Sequence, residues 1–428
     1  MLVVRRGQHG ELGKGLVDFA GRQAMTSLFG ELVTGAHVDD VSLQFQYNNS
    51  PKDVIVTTTG QGSNSNALSM GKVAVDAGGI GLSQMRSLQS LRYRPGHEAF
   101  CQMTTRMVGG EAGVTQFFGI GNGADRVGFG TDQGIFGAWF WEGGNKTFVP
   151  QEDFNVDKLS EEWGRHDTNG IPLNASGFTL DPTKLNLYMV SFGWLGIAPL
   201  MVSVYGGWER GWILAHVFDF ANMIEEPHLQ NPSLPILAET ERLAGDGEVF
   251  IQTSSWRLGV VAGREEQNAS NRRFGARRLN VSANTGTAGT GIHLLSLKSV
   301  ETFQGKENHV RAAIDFIIST NEVNKTVEFL AFATAQIESV NPGFTAGLTY
   351  ADVDSDSSIM QVATDSIDDL SLAGLTALDV GIVGPSTQRA NPDVKGFDLY
   401  AGTEITFLIP REVGAGDVSI QMDWDEFF

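Results

Sequence analysis

The side chains that would do chemistry in this chain are few and poorly grouped. A single cysteine, Cys101, stands among 428 residues, which excludes an intrachain disulfide and a cysteine-based zinc site. It lies in the apolar run Phe100–Met107 and reads as a small buried hydrophobe, with no base placed beside it by the sequence. The eight histidines show no metal-ligand spacing. His216 falls on an apolar strand face and reads as a core residue, whereas His166 and His228 fall in loops and read as polar surface. Carboxylates adjoin at Glu152/Asp153, Glu161/Glu162 and Glu225/Glu226. Glycoside hydrolysis needs two carboxyl groups roughly 5 to 9.5 Å apart across a sugar. Adjacent strand residues point to opposite faces, so these pairs do not supply one.

Two further patterns fail on their required partners. Asp352-Val353-Asp354-Ser355-Asp356 has the first acidic positions of an EF-hand loop, but Ser357 and Ala363 stand where that loop needs glycine and a bidentate glutamate. A solvated acidic turn is the simpler reading; a calcium site shared with another loop is the alternative. Gly119-Ile120-Gly121-Asn122-Gly123 resembles a loose dinucleotide fingerprint. It runs on into a turn and strand, Asp125–Gly130, and not into the helix N-terminus that would meet a pyrophosphate. No nucleophile elbow, phosphate-binding loop or zincin helix is present. The sequence therefore predicts no catalytic, cofactor-binding or metal residue.

Two groups remain that would recognise partners. Trp139, Trp141, Trp194, Trp208 and Trp212 concentrate in the middle of the chain, as sugar-stacking rings or, more simply, as core and interface. Arg264, Arg272, Arg273, Arg277 and Arg278 form the one basic patch. It would pair carboxylates on a partner or a second copy, or lie solvated in a loop balanced by Glu265 and Glu266.

The elements that must position these groups are strands. Glycine contributes 52 residues, roughly 12% against a usual 7%, which predicts a turn-rich β architecture. A hydrophobic content of 41% and a charged content of 19% suit a large buried core. With 30 basic and 50 acidic residues the formal charge is −20, which disfavours nucleic acid and anionic membranes as partners. The start, MLVVRRGQHGELG, lacks an apolar run of signal-peptide length, so neither export nor processing is expected. Residues Leu185–Trp208 carry no charge and are long enough to span a bilayer. Their period-two alternation, broken by Gly193, Gly196 and Pro199, reads instead as two core strands and a turn.

Three zones follow. Residues 1–85 are expected to form an N-terminal arm or small docking region, with a helix over Gln23–Val33, polar strands such as Asp53–Thr59 and a turn cluster at Gly60–Asn66. Residues 86–250 carry short aromatic strands; in the last of them Trp212, Leu214, His216, Phe218 and Phe220 share one face. Residues 251–428 are expected to form a C-terminal β domain. It would hold strands over Val310–Thr320 and Val327–Phe332, some helix remaining open for Arg311–Ile318. A turn-rich stretch Asn341–Ala351, a hairpin-like Leu399–Ile409 and an acidic tail from Asp423 would complete it. The fold class predicted is all-β, with jelly-roll or β-sandwich domains.

The middle zone also resembles a family of tailed-bacteriophage virion structural proteins. The likeness lies in Leu91-Arg92-Tyr93-Arg94-Pro95-Gly96-His97-Glu98, Phe148–Leu159, Ser176–Lys184 and Phe192–Gly196. Ala215-His216, Ala221-Asn222 and Asn231–Pro235 continue it. Phe19–Arg22 and Asn341–Thr345 are similar more weakly. The resemblance implies a non-enzymatic virion component with a lectin-like β-sandwich, in trimeric or higher symmetric assemblies, whose partners are other capsid or tail proteins. It supplies no catalytic residues to carry over. It leaves open capsid decoration, head fibre, tail fibre and baseplate; an oligomeric decoration or fibre-type component is the role expected. The insert Ser160–Asn174 is longer and more charged than the family pattern. Two other readings stand beside this one: a tail protein binding a host surface glycan, and a polysaccharide depolymerase.

Overall fold

Period-two alternation between glycine turns builds antiparallel sheets throughout, with every strand pairing antiparallel among the described residues. The computed structural model describes residues 3–4, 17–18, 36–161, 164–166, 168, 170, 173–193, 195–262, 271–282, 287, 290–321, 327–383, 397–411 and 417–427. The chain divides into two units, residues 1–267 and 268–428.

The first unit is a β-sandwich. Its strands are β1 (Ala36–Gln44), β2 (Val54–Gly60), β3 (Gly62–Ala67), β4 (Met70–Val75) and β5 (Gly81–Ser90). There follow β6 (Glu98–Val108), β7 (Val114–Gly121), β8 (Arg126–Asp132), β9 (Ile135–Glu142) and β10 (Asn145–Pro150). After a long connection come β11 (Asn186–Phe192), β12 (Leu200–Tyr205), β13 (Trp212–Phe218), β14 (Pro235–Arg242) and β15 (Val249–Ala262). One sheet has the order β10-β9-β8-β7-β14-β5-β2; the other has β13-β12-β11-β6-β15-β4-β3, with β1 also on β15. Alternate residues of the two sheets meet in one core: Phe118, Phe129 and Phe140 from the first, Cys101, Tyr188, Val202 and Trp256 from the second. Tyr188 packs edge-on against Phe118 at 4.8 Å and lies 5.0 Å from Phe129. The uncharged stretch 185–208 resolves into β11, a turn and β12, as its alternation predicts.

The expected zone boundaries shift. Strands β1–β4 lie inside the sandwich sheets, so residues 36–85 are not a separate arm, and β15 carries the unit beyond 250. The expected helix over 23–33 lies outside the described residues. The turn cluster at Gly60–Asn66 shrinks to a tight turn, because Gly62–Ala67 is strand β3. Gly60 takes a left-handed φ of 59°, and a Cβ at Gly62 would stand 1.9 Å from Leu82 O, so the chain reverses here only on glycine.

The expected face of β13 is also corrected. The pairing of β12 with β13 slips between Val202 and Ser203, so Val202 opposes His216 while Ser203 opposes Leu214, leaving Ala215 as a bulge. The bulge changes the phase: Ile213 and Ala215 enter the core with Phe218 and Phe220, and Trp212 and Leu214 turn to the other side.

The second unit packs two sheets around its own core. Its strands are β16 (Asn271–Ser282), β17 (Thr290–Ser299), β18 (Arg311–Asn321) and β19 (Val327–Ala333), followed by a short helix α1 (Thr334–Val340). Then come β20 (Ala351–Asp352), β21 (Met360–Ala363), β22 (Leu370–Ser371), β23 (Asp379–Val383), β24 (Phe397–Leu399), β25 (Glu404–Pro410) and β26 (Asp417–Phe427). The orders are β16-β26-β18-β24 and β20-β21-β17-β25-β19-β23, with β22 on β17. Residues 311–318 are strand, not helix. The hairpin expected over 399–409 does not form, since β24 pairs with β18 while β25 pairs with β17 and β19. The acidic tail is instead strand β26, held between β16 and β18. Trp424 is fully buried, and so is Glu426, whose carboxylate accepts from Ser358 Oγ (2.6 Å), Ile359 N (3.0 Å) and Trp424 Nε1 (3.0 Å). A buried carboxylate is tolerated when several donors meet it.

Cys101 in β6 is buried and its thiol pKa is pushed up by desolvation. The native protein should therefore resist a thiol-specific disulfide reagent at pH 8 and take up one equivalent only after unfolding in guanidinium. Rapid labelling of the folded chain would contradict this packing.

Candidate functional site

Strand β13 ends its sheet, and an edge strand leaves a row of backbone groups that must be satisfied or covered. The segment leaving β10 provides the cover. The Asn155 side chain behaves as a one-residue strand: its Oδ1 accepts from Val217 N at 2.9 Å and its Nδ2 donates to Val217 O at 2.8 Å. The next two amides, Val156 N and Asp157 N, both donate to Ala215 O, at the bulge. Asp157 is buried and ties the far end of the connection, accepting from Leu159 N at 2.9 Å and Ser176 N at 2.8 Å. Gln151 Nε2 donates to Lys158 O and Leu159 O, and Lys158 Nζ donates to Glu152 O.

His216 completes this clip. Its Nδ1 accepts from Asn155 N at 3.2 Å, which assigns the proton of the neutral ring to Nε2. The ring packs edge-on to Phe218 at 4.5 Å, and burial lowers its pKa from 6.5 to about 4. The insert Ser160–Asn174 closes at its base, where Ser160 Oγ donates to Leu173 O and Asn174 Nδ2 donates to Ser160 O. Directly beyond it, Asp181 caps the turn to β11 by accepting from Thr183 N and Thr183 Oγ1.

The β12–β13 hairpin projects beside this clip and carries Tyr205, Trp208 and Trp212. An open cleft of about 370 Å³ lies between the clip and the hairpin, lined by Val156, Asp157, Ser176, Arg210, Trp212 and Leu214. Arg210 is fixed at its rim by Nε donating to Ser176 O at 3.0 Å. The slip at Ala215 is what turns Trp212 and Leu214 out of the core and into this wall.

The remaining residues singled out by sequence do not converge. His228 is fully buried, contrary to the surface expected for it. It stacks on Phe220 at 4.6 Å with Nδ1 against Gly196 O at 2.8 Å. His166 is exposed. Glu152, Asp153, Glu161, Glu225 and Glu226 are all exposed, and Glu162 lies outside the described residues. Gly119–Gly123 forms the end of β7 and the turn to β8, so strand follows strand. Asp354 folds its own turn by accepting from Asp356 N and Ser357 N; a hydrogen bond from the Ser357 side chain, then these amides, holds its carboxyl below the usual range. No cluster of three metal-binding side chains occurs among the described residues.

The arginine patch is strand-borne, not loop-borne. Arg272, Arg273, Arg277 and Arg278 lie on β16 beside the acidic β26, with Arg273 3.6 Å from Asp423. Arg278 turns inward to the carbonyls of His293, Leu294 and Asp365. Arg264 and its expected partners Glu265 and Glu266 lie outside the described residues, as does Trp194.

Trp139 and Trp141 are buried on the outer face of the first sheet with Phe117, Leu237 and Phe148. There Arg126 stacks 4.0 Å from the Trp141 ring and pairs with Glu239 at 2.6 and 3.1 Å. Sequence reading missed this pair because its partners are 113 residues apart.

No family model matches the chain, and no curated protein matches it. Among solved structures it is similar to the carbohydrate recognition domain of Emp47p, at 13% identity and TM-score 0.31, covering 53% of this chain and 97% of that one. A glycosyl hydrolase family protein from Mycobacterium fortuitum gives 7% and 0.34, covering 52% and 99%. A β-1,3-glucanase from Mycobacterium marinum gives 9% and 0.32, covering 53% and 99%. Likeness at this level carries no inference about what this chain binds or does.

Two outcomes follow for the clip. Replacing Asp157 by Ala strands the buried Leu159 amide and the half-buried Ser176 amide and should cost about 1 to 3 kcal/mol in urea unfolding; an unchanged midpoint would show that the connection is held elsewhere. His216 has a folded pKa below its unfolded value, so its contribution is full above pH 6.5 and is lost as pH falls from 6.5 towards about 4. His216→Gln should flatten the stability loss over that window by roughly 3 kcal/mol at its full extent. An identical pH profile would contradict the assignment.

Proposed function

We propose that this protein is a non-enzymatic structural component of a tailed-bacteriophage virion, acting through protein–protein contacts in a symmetric oligomer. The setting comes from the resemblance, and the residues that carry it support a structural role. Gln151, Asn155, Asp157, Lys158, Asp181 and His216 each hydrogen-bond backbone groups of the connection or of its edge strand.

The observation that carries the reading is a set of exposed aliphatic side chains on the turns at one end of the sandwich. Four turns meet there: Gly78 N donates to Asp246 O, Leu243 N to Gly113 O, and Gly113 N to Gln133 Oε1. Buried Arg242 locks the group by donating to Asp76 O, Gly79 O and Gly247 O. On this rigid frame Ile80, Ile135 and Leu243 are 63%, 56% and 67% exposed. Aliphatic side chains held out on rigid neighbouring turns, in a chain of net charge −20, suit a docking contact with other virion proteins.

Complementation of a phage lacking the gene provides the test. The Ile80→Glu/Leu243→Glu protein should fold with wild-type circular dichroism and melting temperature, yet be missing from gradient-purified particles that do contain the wild-type protein. Incorporation at the wild-type level would overturn the docking assignment, and absence of the wild-type protein from particles would overturn the virion reading.

A further inference from the structure

We infer that the tip of the β12–β13 hairpin, with the wall formed by the clip, is a binding site for neutral pyranose units of a polysaccharide. The inference is independent of the virion reading.

The site is held rigid before any ligand arrives. Gly206 N donates to Gly211 O at 2.8 Å and Gly211 N to Gly207 O at 2.9 Å, closing the tip on itself. Gly207 and Gly211 take φ of 88° and 64°, which side-chain-bearing residues rarely adopt, and a Cβ at Gly206 would meet Ile213 Cδ1 at 2.4 Å. Tyr205 and Trp212 oppose each other across the hairpin with rings 5.7 Å apart and edge to face. Trp208, between them in the turn, is 84% exposed. A backbone frame fixed in this way, with Tyr205 and Trp212 packed on each other, lowers the conformational entropy lost on binding.

Chemistry selects the ligand. Flat indole faces beside hydroxyl-capable groups suit a sugar ring, whose C–H face is apolar and whose rim is polar. Arg210 lines the cleft with Nε bonded to Ser176 O, and its guanidinium carries further donors of the kind hydroxyl oxygens accept. The cleft of about 370 Å³ lies open to solvent, which leaves room for a chain of sugar units to run past it. Asp157 in the wall, Glu209 in the turn and the net charge of −20 disfavour a polyanion, so the repeat recognised is neutral. The closed base of the insert leads directly into Ser176 in the wall, so changes in that loop would alter the glycans accepted.

The experiment is an array of purified bacterial capsular and O-polysaccharides, neutral and uronate-containing, probed with the full chain. Hits are followed by titration of tryptophan fluorescence. Saturable binding to neutral polymers is expected. Trp208→Ala and Trp212→Ala should each weaken it by about tenfold or more, and Arg210→Ala should weaken it without moving the melting temperature. Trp139→Phe, on the opposite sheet, should leave affinity unchanged. No saturable binding on the array, binding confined to acidic polymers, or binding indifferent to all three hairpin variants would each overturn the inference. Particle incorporation of Trp208→Ala at the wild-type level would show that the virion reading stands apart from either result.

Discussion

Covering the edge of β13 is the constraint on which the first unit depends. A sandwich of this size ends in strands whose backbone groups face outward, and the chain must also bring 35 residues, 151–185, from one sheet to the other. One short segment meets both needs. Asn155 and the two amides after it close the edge, and Asp157 pins the returning chain at Ser176. The bulge at Ala215 offers one carbonyl to two amides, and the same slip places Trp212 outside the core. Edge cover, connection and exposed aromatic wall are thus consequences of one local irregularity.

Much of the architecture was legible because it rests on local pattern. Alternation identified β11 and β12 in a stretch long enough to be mistaken for a membrane span, and glycine content pointed to turn-rich sheets. The failures share a cause, which is that they depend on distant partners. The acidic end of the chain looks like a solvated tail until Arg272 and Arg273 are seen opposite Glu426 and Asp425 on a neighbouring strand. Residues 399–409 alternate like a hairpin, but which sheet each half joins is decided by β17 and β18, about a hundred residues earlier. The face of β13 was misread because alternation carries no sign of a bulge. His228 was placed at the surface because nothing in its neighbourhood shows that Phe220 will stack on it.

The site was legible only in part. The five tryptophans stand out, yet sequence does not separate Trp139 and Trp141, buried on the outer face of one sheet with Arg126 over the Trp141 ring, from the exposed Trp208. Burial of a ring is a property of sheet order. The residues of the phage-like resemblance, which a motif reading would treat as candidates for chemistry, turn out to hold backbone in place. The turns that carry the proposed docking contact and the hairpin that carries the proposed ligand site lie at the same end of the sandwich, on different strands.

The central claim is that the chain works as a symmetric assembly through contacts made by such rigid surfaces. Light scattering on a size-exclusion column tests it most directly. The account predicts a stable trimer or larger ring at micromolar concentration. A monodisperse 46.2 kDa monomer across that range would contradict it.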